Sequence, residues 1–187
     1  MATSSDNLIT LGLKGALGRQ LVFRKRGNKL IVAKMPAKRK TEIRDSEKEV
    51  RRRFKEASTY AKAAIKTVAT KEYYLTQSEP GQTAYNMAFA DFFSVPEVSD
   101  INLSQYAGKI GDKISLKATE DFKVISVWVE IFGQDGSIIE SGDALMSENE
   151  LDWFYTVKKL NGNLIGTKIV VSAKDLAGNS TVEEKLV

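Results

Sequence analysis

Residues 123–140 read KVISVWVEIFGQDGSIIE, and this stretch decides the fold of the C-terminal half. Val127, Val129 and Ile131 alternate with Trp128, Glu130 and Phe132, the period of two that sends successive side chains to opposite faces of a strand. Either set is able to face a core. Gln134-Asp135-Gly136 then supplies a hairpin turn. Outward from this strand, β-prone runs recur at Ile101–Leu103, Lys113–Ala118, Ser137–Glu140, Trp153–Val157, Thr167–Ala173 and Ser180–Val187. Short runs at such spacing, punctuated by Gly, Asp and Asn, predict two packed antiparallel sheets.

The pattern changes near Ser94-Val95-Pro96-Glu97, so the reading divides the chain into a module over 1–95 and a second over 98–187. The first module is expected to be α+β, a β-hairpin followed by two helices. Two β-prone runs between Arg19 and Lys34 flank Gly27-Asn28, a connection suited to a tight turn because Gly27 accepts positive φ. That register sets Phe23 opposite Val32. Leu21, Phe23, Leu30 and Val32 share one face, and Arg24, Arg26, Lys29 and Ile31 share the other. Gly12, Gly15 and Gly18 recur every third residue, but outside a strand–helix unit they read as turn positions and not as a phosphate loop.

A basic connector, Lys34 to Lys40, leads to the strongest helical pattern in the chain. Ser46 and Glu49 fit a capping box, and Val50, Phe54, Ala57, Ala61, Ala64 and Val68 follow in steps of four and three as one apolar stripe. Phe54 is taken as its central core residue. The opposite side carries Lys48, Arg51, Arg52, Lys55, Lys62 and Lys66, relieved by pairs such as Glu49 with Arg53. A second helix is expected from about Gln82 to Phe93, with Tyr85, Ala88, Phe89 and Phe92 on one face. With Tyr73, Tyr74 and Phe54 these aromatics close a small core.

Composition excludes more than it suggests. The chain of 187 residues has neither Cys nor His, which removes thiolate nucleophiles, Cys/His zinc sites, Ser-His-Asp triads and imidazole acid–base chemistry. No pair of carboxylates is singled out by its setting in sequence, and Asp121, Asp143 and Asp175 follow no EF-hand spacing, so they read as turn and edge-strand carboxylates. No enzyme activity, cofactor or metal is expected. Without a basic n-region or an apolar run of spanning length, membrane association is not expected either, and residence in the cytoplasm is, with signal-independent release left open. Residues 1–80 hold 19 Lys and Arg against 8 Asp and Glu, and residues 81–187 hold 9 against 16. A basic half beside an acidic one points to an anionic partner for the basic half.

Two resemblances sharpen this. Thr119-Glu-Asp-Phe-Lys-Val-Ile-Ser-Val, Asp135-Gly-Ser-Ile-Ile-Glu-Ser-Gly, the Trp153-Phe-Tyr155 run and Asp175-Leu-Ala-Gly-Asn resemble bacterial immunoglobulin-like modules. That resemblance implies an all-β immunoglobulin-like sandwich over 98–187 and a spacing or binding habit, not an activity. Gly15-Ala-Leu-Gly-Arg-Gln-Leu-Val-Phe-Arg, Lys34-Met-Pro36, Phe54 with Ala57 and Ala84-Tyr-Asn-Met-Ala-Phe-Ala-Asp-Phe-Phe93 resemble a bacterial family without a settled activity. Membership is compatible with roles around phage-like particles. The expected function is that of a structural or passenger protein of a larger assembly. It docks on an acidic protein surface through Arg24, Arg26, Lys29, Lys48, Arg51, Arg52, Lys55, Lys62 and Lys66. The alternative is a sequence-nonspecific nucleic-acid binder, since the same cations neutralise phosphates and no base-reading motif accompanies them.

Overall fold

A computed structural model describes residues 2–4, 12–27, 29–38 and 42–187. Asn28 of the hairpin turn, Arg39 and Lys40 of the connector and the apolar residues Leu8 to Leu11 lie outside these residues. The chain divides into two units, Met1–Arg52 and Arg53–Val187.

In the first unit, β1 (Ala2–Ser4), β2 (Gly15–Leu17), β3 (Leu21–Arg26) and β4 (Lys29–Lys34) form an antiparallel sheet in the order β1-β4-β3-β2. The hairpin register is the one its alternation predicts, with Phe23 opposite Val32 and Arg24 opposite Ile31. Gly27 has φ +58°, a left-handed conformation that a side chain would strain. Strands β1 and β2 extend the hairpin to four strands; Gly18 lies in the β2–β3 connection as a turn glycine, whereas Gly15, expected in a turn, is the first residue of β2 and pairs with Phe23.

Helix α1 (Asp45–Ala64) begins in this unit and continues into the second. Asp45 and Glu47 in its first turn offset the positive end of the helix dipole. Ser46 and Glu49 both lie inside the helix, so the expected capping box does not form its start, and Glu49 instead accepts from the Arg52 guanidinium. The helix stops at Ala64, before a β-branched set of Ile65, Thr67 and Val68, which have weaker helix propensity. Val68 therefore opens a separate helix, α2 (Val68–Thr76), and does not extend the apolar stripe of α1.

Helix α3 (Ala84–Asp91) is shorter than expected, and a capping box between Thr83 and Asn86 sets its start. The three helices enclose a small core around Ala61, Tyr74, Ala84 and Ala88, with Tyr60, Tyr85 and Phe89 packed against it. Phe54 is not its centre. That side chain stays 59% exposed, because Ala57 and Ala61 make the close helix contacts and leave the larger residue at the margin.

The remaining strands are β5 (Glu97–Asn102), β6 (Lys113–Thr119), β7 (Val124–Phe132), β8 (Ile138–Asp143), β9 (Leu145–Met146), β10 (Asp152–Thr156), β11 (Lys168–Asp175) and β12 (Ser180–Leu186). They form two antiparallel sheets, β5-β6-β10-β9 and β12-β11-β7-β8. Both sheets share one core. Val127, Val129, Ile131, Ile169, Val171 and Ala173 come from one, and Val98, Ile114, Leu116, Trp153 and Tyr155 from the other. The choice left open along β7 is thus settled in favour of Val127, Val129 and Ile131, and Trp128 turns outward. Burying each such aliphatic side chain contributes about 1.5–3 kcal/mol. Helices α2 and α3 belong to the same unit as these strands, whereas the change of pattern in the sequence lies between residues 95 and 98.

Candidate anion-docking surface

The nine cations singled out by sequence fall into two sets. Arg24, Arg26 and Lys29 are exposed on one face of the β3–β4 hairpin, where Arg26 pairs in register with Lys29. Antiparallel pairing places them there because Arg24 and Arg26 alternate with Phe23 along β3, and Lys29, the register partner of Arg26, alternates with Leu30 along β4. Lys48, Arg51, Arg52, Lys55 and Lys62 are exposed on α1. At about 100° per residue they occupy an arc of about 100°, on the side of the helix away from Ala57 and Ala61. Lys66 is exposed beyond the end of α1, in the turn where its backbone N–H donates to the Ala63 carbonyl at 3.1 Å.

Local pairs reduce the charge at two of these positions. Lys48 Nζ lies 2.8 Å from Asp45 Oδ1, and the Arg52 guanidinium contacts Glu49 through two nitrogens. Such exposed pairs contribute only about 0–1 kcal/mol and are weakened by salt. Arg53 does not join the arc. Its guanidinium lies over the Phe93 ring, 5.4 Å from the centroid.

A second constellation, absent from the sequence reading, is acidic and buried. Asp91, at the end of α3, is fully buried and accepts hydrogen bonds from Tyr74 Oη and, at 3.3 Å, from Tyr60 Oη. The two hydroxyls are themselves 2.7 Å apart. Glu120, in the β6–β7 turn, accepts the Lys123 backbone N–H at 3.0 Å through Oε2. Asp91 Oδ1 and Glu120 Oε1 are buried without a donor, and Phe122, in the same turn as Glu120, packs edge to face on Tyr74, the donor to Asp91, with ring centroids 6.1 Å apart. Burial, and then the neighbouring Asp91 and Asp175 charges, push Glu120 up to about 8. Burial likewise raises Asp91, and it raises Tyr60 to about 12. The sequence offered one clue, a carboxylate set among Ala90, Phe92 and Phe93. Its partner lies 29 positions further on, and only folding brings it near.

Asp175, read from sequence as a turn carboxylate, serves as one: it accepts the Asn179 backbone N–H at 2.7 Å. Asn179 Nδ2 in turn donates to Asp175 Oδ2 at 2.8 Å and to the Ser94 carbonyl at 2.6 Å. Asp121 accepts from Ser94 Oγ at 3.1 Å. Among the described residues no three carboxylates converge on a common point where a metal ion would sit. No described helix is long and apolar enough to cross a membrane.

No family model matches the chain, and no curated protein matches it. Among solved structures, the chain is similar to an engineered protein determined by crystallography at the Northeast Structural Genomics Consortium. The identity is 15% and the TM-score 0.33, over 58% of this chain and 30% of that one, a likeness too slight to carry an argument.

Proposed function

We propose that the chain is a non-enzymatic structural or passenger protein of a larger, phage-like assembly, attached through its basic N-terminal module to an acidic protein surface. The observation that carries this reading is the exposed arc of Lys48, Arg51, Arg52, Lys55 and Lys62, on the side of α1 away from its buried alanines. A helix that buries only small residues on one side and presents cations along the other is suited to lying on an anionic wall. The unit Met1–Arg52 has 14 Lys and Arg against 5 Asp and Glu, and Arg53–Val187 has 14 against 19, so attraction to such a wall is concentrated at one end of the sequence.

The C-terminal part acts in this reading as an immunoglobulin-like spacer. Its strand orders, β5-β6-β10-β9 and β12-β11-β7-β8, support that assignment because they correspond to the A-B-E-D and G-F-C-C′ sheets of immunoglobulin domains. This reading places the protein in the cytoplasm, with signal-independent release left open.

The same cations favour sequence-nonspecific nucleic-acid binding as the second reading. One experiment separates the two. The triple variant Arg51→Glu, Arg52→Glu, Lys55→Glu is expected to fold, since all three side chains are exposed, and to stop co-purifying with nuclease-treated particles from the native cell. Wild-type binding to duplex DNA is expected to be weak at about 0.15 M salt, because each neutralised phosphate contributes about −0.9 to the log–log salt slope. Tight DNA binding at that salt, lost in the triple variant, would instead establish the nucleic-acid reading.

A further inference from the structure

Tyr60 of α1, Tyr74 of α2 and Asp91 of α3 meet at one point, and the β6–β7 turn, whose Phe122 ring packs edge to face on Tyr74, brings Glu120 beside them. Asp91 is fully buried, with Tyr74 and Tyr60 donating to Oδ2. What remains is a pair of buried oxygens, Asp91 Oδ1 and Glu120 Oε1, with no donor between them. Two carboxylates cannot both stay ionised there, since like charges in a low-dielectric site repel and each lacks its water. One proton satisfies both oxygens. We propose that Asp91 and Glu120 share a single proton, and that this carboxyl pair is a pH-sensitive latch holding α3 on the β6–β7 turn.

The surroundings assign the proton. Asp91 collects the tyrosine donors that stabilise an anion, whereas Glu120 receives one backbone N–H, so Glu120 is the protonated member and donates to Asp91. The other titratable groups facing the pair are Tyr60 from α1, Tyr73 and Tyr74 from α2 and Asp175 from the end of β11. Lys123 is the nearby cation, and its Nζ lies over the Tyr73 ring at 5.9 Å. Among the described residues neither carboxylate has an ion pair with Lys or Arg. A divalent cation would need more oxygen ligands than the pair supplies, and no third carboxylate converges on it.

The direction with pH follows from linkage. Glu120 is raised in the folded chain from 4.5 to about 8, so its contribution is fully present below its unfolded value and is lost as pH rises through about 8. Asp112 and Asp135 are held below the usual carboxylate range by backbone and hydroxyl donors and titrate on the acid side of this window. The latch is therefore closed in mild acid and strained in mild base. It is independent of the docking reading.

Urea unfolding of the full chain, followed by tryptophan fluorescence between pH 5 and 9 at constant ionic strength, tests it. The wild-type unfolding constant is expected to rise by up to about tenfold per pH unit across the window, the signature of one proton bound only in the folded state. Glu120→Gln replaces the shared proton with an amide donor that does not titrate, and should flatten this dependence. Asp91→Asn, which offers an amide donor to an ionised Glu120, should shrink it and decides the matter if the first variant does not fold. A flat wild-type profile, or either variant with the wild-type slope, overturns the latch. So does a midpoint that rises with calcium and falls with EDTA, which would put a cation between the carboxyls.

Discussion

Phe54 meets Phe89 edge to face at 4.7 Å yet keeps 59% of its surface in water, whereas Tyr74 is wholly buried beneath the three helices. An exposed ring that retains one aromatic contact contributes roughly the value of that contact, about 1 kcal/mol. Phe54→Ala should cost no more than this in urea unfolding. Tyr74→Ala removes a fully packed ring and the donor to Asp91 together, and should cost about 3–5 kcal/mol. Equal effects of the two substitutions would show that the helical core is centred elsewhere. Gly108 is constrained in another way. Its φ is +78°, and a Cβ there would stand 2.4 Å from the Asn161 carbonyl oxygen, so Gly108→Ala should lower the thermal midpoint through backbone strain and overlap alike.

The C-terminal end of α3 leaves carbonyls without intrahelical partners, as every helix end does. Here the donor comes from the β11–β12 turn. Asn179 Nδ2 points at the Ser94 carbonyl and lies 3.4 Å from that of Phe92, while Asp175 orients the amide from behind. The Asp175-Leu-Ala-Gly-Asn stretch, legible in the sequence as a turn, thus also fastens the chain that leaves α3. Asn179→Ala strands these acceptors and should destabilise the protein by about 1–3 kcal/mol. Faster amide exchange at residues 92–95 than in the wild type would accompany the loss. Unchanged exchange there would mean that Asn179 serves only its own turn.

For the molecule as a whole, the question is where the chain opens first. Residues 35–38 are exposed and carry Lys38, whereas Ser94 is held by Asn179 and by Asp121, and Pro96 and Val98 are buried. Limited trypsinolysis should therefore cut in the basic connector and leave a resistant fragment running from about residue 42 to Val187, helices included. Mass spectrometry of a stable fragment beginning near residue 98 would show that the strands hold together without the helices.

The hairpin register and strands β6, β7, β8, β10, β11 and β12 were legible because each rests on a local rule, alternation of period two or a glycine able to take positive φ between two β-prone runs; β5 starts at Glu97, four residues ahead of the run expected from Ile101, and the short strands β1, β2 and β9 carried no such signal. The arc of cations on α1 was legible for the same reason, as helical spacing alone puts residues 48, 51, 52, 55 and 62 on one side. Tertiary structure decided the rest. It broke the apolar stripe after Ala64, left Phe54 at the edge of the core and chose the buried face of β7, because periodicity names two faces and only a packing partner selects one. It also made the Asp91–Glu120 pair. The character of those carboxyls comes from removal from water and from each other's proximity, neither of which exists until residues far apart in the chain are packed together.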